Sequence, residues 1–286
     1  MKVILLPKFY GHCPGLKRSL KIADDLILEA EKNGKKIYYD VPLAHNEEVE
    51  KKLQKGGFQE VNIEEVTDAK GQYFLISAHG VSGQKIEKLK KKNFVVKSAV
   101  CPTVKHVQQI AQNDYVDGYQ IVIFGKSTHP EIIGVNGSVD DSATIVADVD
   151  EGFKIKLNKK TSVICQTTLS SDKYDEFVEN LKKANPKTKI VARNTICPIV
   201  EGRVQMCAAH VVEEKPDIVV VVGSKTSSNT KQLASKLAKL VPTMLVGSEK
   251  ELEKSDFEKN TTVLVVSGTS APPEEVERIA EKLKNF

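Results

Sequence analysis

A chain of 286 residues, 40% of them hydrophobic, can build a substantial core and has room for one to three domains. Its net charge of +4 is scattered over lysine-rich helical faces such as EKLKKKN and KQLASKLAKL, and it has no Trp to stack on bases, so no nucleic-acid partner is expected. No apolar run reaches the length of a signal sequence or a membrane span, and an odd count of five cysteines fits a reducing compartment. The expectation is a cytoplasmic protein of bacterial type with no membrane partner.

The chain opens on an extended stretch, VILLPKFYGHCP. Leu16, Leu20, Ala23, Ile27 and Ala30 then recur at helical spacing up to a stop at Gly34, and the strand KIYYDV follows. Later strands read as YFLIS, VVKSAV, QIVIF, TSVIC, TKIV, DIVVVV, TMLV and TTVLVV, with amphipathic helices between them. The last helix, PPEEVERIAEKLKNF, starts on proline and carries acidic residues in its first turn, where they face the positive end of the helix dipole. Alternation of this kind, without a low-complexity linker, predicts an α/β fold with mostly parallel sheets.

One dipeptide recurs: Cys13-Pro14, Cys101-Pro102 and Cys197-Pro198 each end an extended stretch and open a helical pattern. With proline at about 5% of residues, three such pairs among five cysteines arise by chance on the order of once in a thousand, so they mark an internal repeat. Each cysteine falls at a helix N-terminus, where unpaired N–H groups and the dipole favour thiolate. Three thiolates suit a metal. They stand roughly ninety residues apart, unlike the close pairs of structural zinc sites, so they meet only if similar units converge. Three buried structural cysteines would give the same pattern, because Cys is also a small apolar residue. Cys165, inside an apolar strand, and Cys207, on the helix VQMCAAHVV, read as structural.

A second repetition lies over the first. In each third of the chain two strands run straight into short polar loops: VPLAHN and ISAHGVS, then IFGKSTHPE and ICQTTLS, then VVGSKTSSN and VVSGTSAP. Parallel α/β sheets bind ligands at the carboxyl ends of their strands. Three units with one cysteine and two polar loops apiece imply a pseudo-threefold arrangement around one pocket. The boundaries expected are 14–101, 102–195, and 1–13 joined to 196–286, since Cys13 otherwise has no strand of its own. His45, His79, His129, Ser227, Ser228, Asn229 and Ser270 form a donor-rich set that suits a phosphate or diphosphate. Singly, each reads as a helix cap or a surface residue. Glu131, after His129-Pro130 and opposite the threonine-rich loop of Thr167, is placed to deliver a proton, and equally to start a helix.

Together, GHCPGLKRS, LAHN, SAHGVS, VCPTV, HPE, QTTLS, Cys197, GSKTSSN and GTSAP resemble the 4-hydroxy-3-methylbut-2-enyl diphosphate reductases, the IspH or LytB family, over essentially the whole chain. The resemblance implies three α/β units in a trefoil around one 4Fe-4S cluster held by Cys13, Cys101 and Cys197, with one iron left open for the substrate hydroxyl. It implies a diphosphate gripped by His45, His79, His129, Ser227, Ser228, Asn229 and Ser270. Glu131, with Thr167 and His129, would protonate the departing hydroxyl, and an external one-electron donor such as ferredoxin or flavodoxin would supply the electrons that give isopentenyl and dimethylallyl diphosphates. The chain departs from the family pattern at His12, Ser98 and Thr128, in the order of Lys105, His106 and Gln108, and in PIVEGRVQ after the third cysteine. A related reductase of another phosphorylated, hydroxylated substrate, a three-cysteine zinc hydrolase, and a non-catalytic cluster-binding protein share parts of the same pattern.

Overall fold

The structure is a computed structural model and describes residues 1–6, 9–157 and 159–286. Pro7 and Lys8, within the extended stretch expected before Cys13, lie outside the described residues. In chain order the elements are β1 (Lys2–Leu5), α1 (Pro14–Asn33), β2 (Ile37–Tyr39), α2 (Glu47–Lys55), β3 (Phe58–Glu60), β4 (Tyr73–Ile76), α3 (Gly83–Lys91) and β5 (Val95–Ser98). Next come α4 (Pro102–Val116), β6 (Gln120–Phe124), α5 (Pro130–Asn136), β7 (Thr144–Val146), β8 (Thr161–Cys165), α6 (Ser171–Ala184) and β9 (Ile190–Arg193). The chain ends with α7 (Pro198–Glu214), β10 (Ile218–Val222), α8 (Ser228–Leu237), β11 (Thr243–Val246), β12 (Thr262–Ser267) and α9 (Pro273–Lys284).

Three four-stranded sheets result, every pairing parallel: β3-β2-β4-β5, β7-β6-β8-β9 and β11-β10-β12-β1. Each has the same order. In each, the outermost strand on one side is the one that leads into a Cys-Pro pair, and β1 fills that place beside β12, with Ile4 opposite Leu264. The short edge strands β3 and β7 were not foreseen from the sequence. FQE is largely exposed and TIV sits half-buried, so neither carries a long apolar run.

By contacts the chain forms two compact units, Met1–Lys17 with Ala44–Lys51 and Pro198–Phe286, and Arg18–Leu43 with Lys52–Cys197. In the first, alternate residues of β10 and β12 serve two layers. Val220, Val222 and Val265 pack under Val276 and Ile279 of α9, while Val221, Leu264 and Val266 face Leu233 of α8 and Cys207 of α7. Both faces are covered, which is why these strands read as unbroken apolar runs rather than as alternation. Each such side chain contributes about 1.5 kcal/mol or more by leaving water.

The second unit holds the other two sheets. Tyr174, Phe177 and Leu181 of α6 cover one face of β6 and β8, with Phe177 stacked on Phe124 at 4.7 Å, and Ile132 and Val135 of α5 cover the other. α5 also lies directly on the loop after β4. A Cβ on Gly134 would stand 3.3 Å from the main-chain atoms of Gly80 and Val81 and 2.9 Å from Gln108 Nε2, which itself donates to Val81 O at 3.2 Å. One turn on, a Cβ on Gly137 would strike Ser82 at 2.2 Å. Two glycines on one helical surface thus let loop and helix touch backbone to backbone. Among the described residues no helix is long and apolar enough to cross a membrane.

Candidate active site

The three Cys-Pro pairs occupy one repeated position. Each proline is the first residue of a helix, α1, α4 or α7, and each cysteine immediately precedes it. The cysteine N–H donates in every case to the second residue beyond the neighbouring inner strand: Cys13 to Thr269 O at 3.1 Å, Cys101 to Ala78 O at 3.0 Å and Cys197 to Thr167 O at 2.9 Å. All three cysteines are half-buried, and the N–H of Leu16, in the first turn of α1, points at Cys13 Sγ at 3.4 Å. Such a donor is what a thiolate needs. Cys165 and Cys207 differ in kind. Both are fully buried, and burial holds their thiols protonated, Cys207 pushed up to about 12.

The acid is set in the β6 and β8 loops. His129 caps α5, its Nδ1 accepting from Glu131 N at 3.2 Å, so in the neutral ring the proton sits on Nε2. Glu131 is 2% exposed. Its Oε1 accepts from Thr167 N at 2.7 Å and its Oε2 from Thr167 Oγ1 at 2.6 Å. Burial raises the Glu131 pKa, and the two bonds from Thr167 pull the other way. Glu131 thus stands in the first turn of α5 with its carboxyl closed onto Thr167. His79 approaches His129 edge to face at 5.6 Å, and its Nδ1 lies 3.3 Å from Ser77 Oγ.

The β10 and β12 loops carry neutral donors. Ser227 caps α8, accepting from Thr230 N at 3.4 Å, with Ser228 and Asn229 in the first turn. Asn229 is buried and donates through Nδ2 to Thr269 Oγ1 at 2.6 Å, while the buried Ser270 Oγ has no hydrogen-bond partner among the described residues. His45, in the loop after β2, is half-buried, and desolvation lowers its pKa toward the neutral imidazole. Asn46 beside it accepts from Val49 N at 3.1 Å and donates to the buried Glu275 at 3.2 Å. Sequence reading gave no part to Thr269, whose carbonyl accepts from Cys13 N, or to Gln108, whose amide donates to Val81 O. Thr269 lay in the quoted GTSAP motif, but its use of a main-chain carbonyl to hold Cys13 has no sequence signal.

Cysteines that each precede a helix, and polar loops at the strand ends, one of them holding a buried carboxyl, mark a parallel α/β protein built from repeats. The chain belongs to the LytB protein family, whose family model matches residues 4–284. It is 35% identical to the 4-hydroxy-3-methylbut-2-enyl diphosphate reductase of Campylobacter lari over 99% of this chain and 98% of that one, and 32% identical to the protein of the same name from Dictyoglomus thermophilum over 97% and 94%. Among solved structures, the E-1-hydroxy-2-methyl-but-2-enyl-4-diphosphate reductase of Plasmodium falciparum matches with a TM-score of 0.88 at 29% identity, over 99% of this chain and 88% of that one. A structure of (E)-4-hydroxy-3-methyl-but-2-enyl diphosphate reductase, the terminal enzyme of the non-mevalonate pathway, matches with a TM-score of 0.69 at 26% identity over the full length of both.

Proposed function

We propose that the chain converts 4-hydroxy-3-methylbut-2-enyl diphosphate to isopentenyl and dimethylallyl diphosphates in the non-mevalonate isoprenoid pathway. The allylic C–O bond breaks, two electrons and two protons enter, and water leaves. The family is one of iron–sulfur enzymes, and the donor chemistry here fits such a group. Three half-exposed cysteines at helix starts offer soft thiolate ligands, and the buried cation Arg203, which among the described residues hydrogen-bonds to main-chain carbonyls alone, suits an anionic neighbour. We assign Cys13, Cys101 and Cys197 as ligands of a single 4Fe-4S cluster with one open iron. When bound it supplies electrons one at a time and an open coordination position.

The rest falls to side chains. His45, His79, His129, Ser227, Ser228, Asn229 and Ser270 hold the diphosphate through N–H and O–H donors. His129 does so from Nε2, and Ser270 has a hydroxyl to spare. Burial pushes Glu131 toward the neutral carboxyl, and once Oε2 carries the proton its 2.6 Å contact with Thr167 Oγ1 reverses direction and leads that proton toward the hydroxyl. We assign the three repeats to 14–101, 102–195, and 1–13 with 196–286, the electron donor to a ferredoxin or flavodoxin, and the working compartment to the cytoplasm. The observation that supports this reading most is the carboxyl of Glu131 closed onto Thr167, whose carbonyl also holds Cys197.

The test is anaerobic purification with iron, sulfide and zinc analysis, then assay with the named substrate and a strong one-electron reductant. A cluster and both isoprenyl diphosphates are expected. Zinc without sulfide, persisting after anaerobic reconstitution, would overturn the cofactor, and a full cluster without product would overturn the substrate.

A further inference from the structure

We infer that Arg203 is a positioning residue that both fixes Cys13 in place and, through its positive charge, raises the reduction potential of the group Cys13 holds. The inference rests on Cys13 being a cluster ligand, as proposed above. Arg203 lies on α7 and is 9% exposed. Its Nη1 donates to Gly11 O at 2.8 Å, Gly268 O at 3.0 Å and Ser267 O at 3.3 Å. Gly11 is two residues before Cys13, and Gly268 immediately precedes Thr269, whose carbonyl takes the Cys13 N–H. One guanidinium therefore ties together both segments that set the cysteine. Gly11 adds to the clamp. It has φ +78, its N–H donates to Ser267 Oγ at 2.9 Å, and a Cβ there would meet Pro273 at 2.8 Å.

The clamp is charged, and charge is not needed for clamping. A buried guanidinium costs several kcal/mol in lost hydration unless an anion balances it. Among the described residues no carboxylate pairs with Arg203. The groups able to become anionic beside it are Cys13 and Cys207, which both act on it electrostatically. Cys207 is fully buried and stays a thiol. Arg203 is tied to the main chain two residues before Cys13, so the negative charge that a cluster and its thiolates bring to that position is the anion it stands beside. A fixed cation favours the more negative, reduced state of a neighbouring cluster over the oxidised one.

Two substitutions separate charge from clamping: R203K keeps the charge with fewer donors, and R203Q keeps a donor without the charge. The readouts are iron and sulfide content and a redox titration followed by electron paramagnetic resonance, in anaerobically purified full-length protein. The expected result is a cluster potential shifted negative in R203Q and close to the unsubstituted protein in R203K. If R203Q fails to hold a cluster while R203K holds one at the original potential, the charge is again required. An unchanged potential in cluster-replete R203Q, an equal shift in both variants, or cluster loss in both would overturn the electrostatic role and leave the ligand assignment standing. Unsubstituted protein without iron and sulfide would overturn the ligand assignment and this inference with it.

Discussion

Helices α5 and α8 begin alike and carry different groups. α5 has His129 as cap, then Pro130 and Glu131; α8 has Ser227, then Ser228 and Asn229. Glu131 and Asn229 thus hold the same place, and each bonds to the threonine two residues beyond the neighbouring inner strand, Glu131 to Thr167 and Asn229 to Thr269. Those two threonines use their carbonyls identically, for Cys197 and for Cys13. The scaffold repeats and the functional group does not: a neutral carboxyl has a proton to give, whereas a carboxamide keeps its protons and only donates and accepts hydrogen bonds. On the function proposed above, one repeat delivers the proton and the other grips the diphosphate, from the same backbone plan.

Making the first slot like the second gives the largest expected effect. Glu131→Gln should lower kcat by about 10²- to 10⁴-fold, the usual weight of a positioned acid. Iron content, sulfide content and the visible spectrum should stay as they were. Steady-state kinetics beside metal analysis checks this, and unaffected turnover would remove the assignment of Glu131 as proton donor. The reverse exchange, Asn229→Asp, sets a carboxylate against an anionic substrate. KM should rise by roughly 10- to 100-fold, a cost of about 1.4 to 2.7 kcal/mol, with kcat changed far less. A loss confined to kcat would show that the β10 loop is not a binding loop.

How much of this was legible in the sequence follows from what kind of contact each feature makes. The inner strands were visible because both of their faces are covered, so DIVVVV and QIVIF stand out as apolar runs. The edge strands β3 and β7 were not, being three residues long and partly in water. Cys-Pro and the polar loops announced the repeat because side-chain identity carries them. The clamp around Cys13 stayed hidden: Thr269, Gly268 and Gly11 act through carbonyls, which every residue has, and Arg203 stood in a segment noticed only for departing from the family pattern. Glu275 was misleading in the opposite way. An acid in the first turn of α9 reads as a solvated group facing the helix dipole, yet it is 3% exposed.

The loop–helix contact that brings His79 beside His129 is the next point of attack. Gly134→Ala would push a methyl to 2.9 Å from Gln108 Nε2 and 3.3 Å from the main chain of Gly80 and Val81. The amide can turn aside but the backbone cannot, so a loss of about 1–3 kcal/mol in stability is expected, as in other overpacked contacts. Thermal unfolding measures it. Gly83→Ala, at a helix start where a Cβ meets nothing within 4 Å, is the control and should leave the midpoint in place.

The smallest effect sharpens the comparison by contrasting Glu131 with the other buried first-turn glutamate. Glu275 accepts from Asn46 at 3.2 Å, and burial raises its pKa from the ordinary 4.5 to about 7; the nearby Glu48 and Glu249 add to the rise, and Arg278 and the Asn46 bond oppose it. A carboxyl that binds its proton more tightly folded than unfolded contributes its stability fully below about pH 4.5 and loses it as pH rises through 7. The slope is at most about 1.4 kcal/mol per pH unit. Glu275→Gln keeps an acceptor for Asn46 and removes the titration, so denaturant midpoints followed from pH 5 to pH 8 should flatten, with the variant the more stable protein at the alkaline end. Parallel curves for the two proteins would mean that Glu275 is ionised and hydrated in the folded state. Of the two buried glutamates, burial would then be raising the pKa of Glu131 and not that of Glu275.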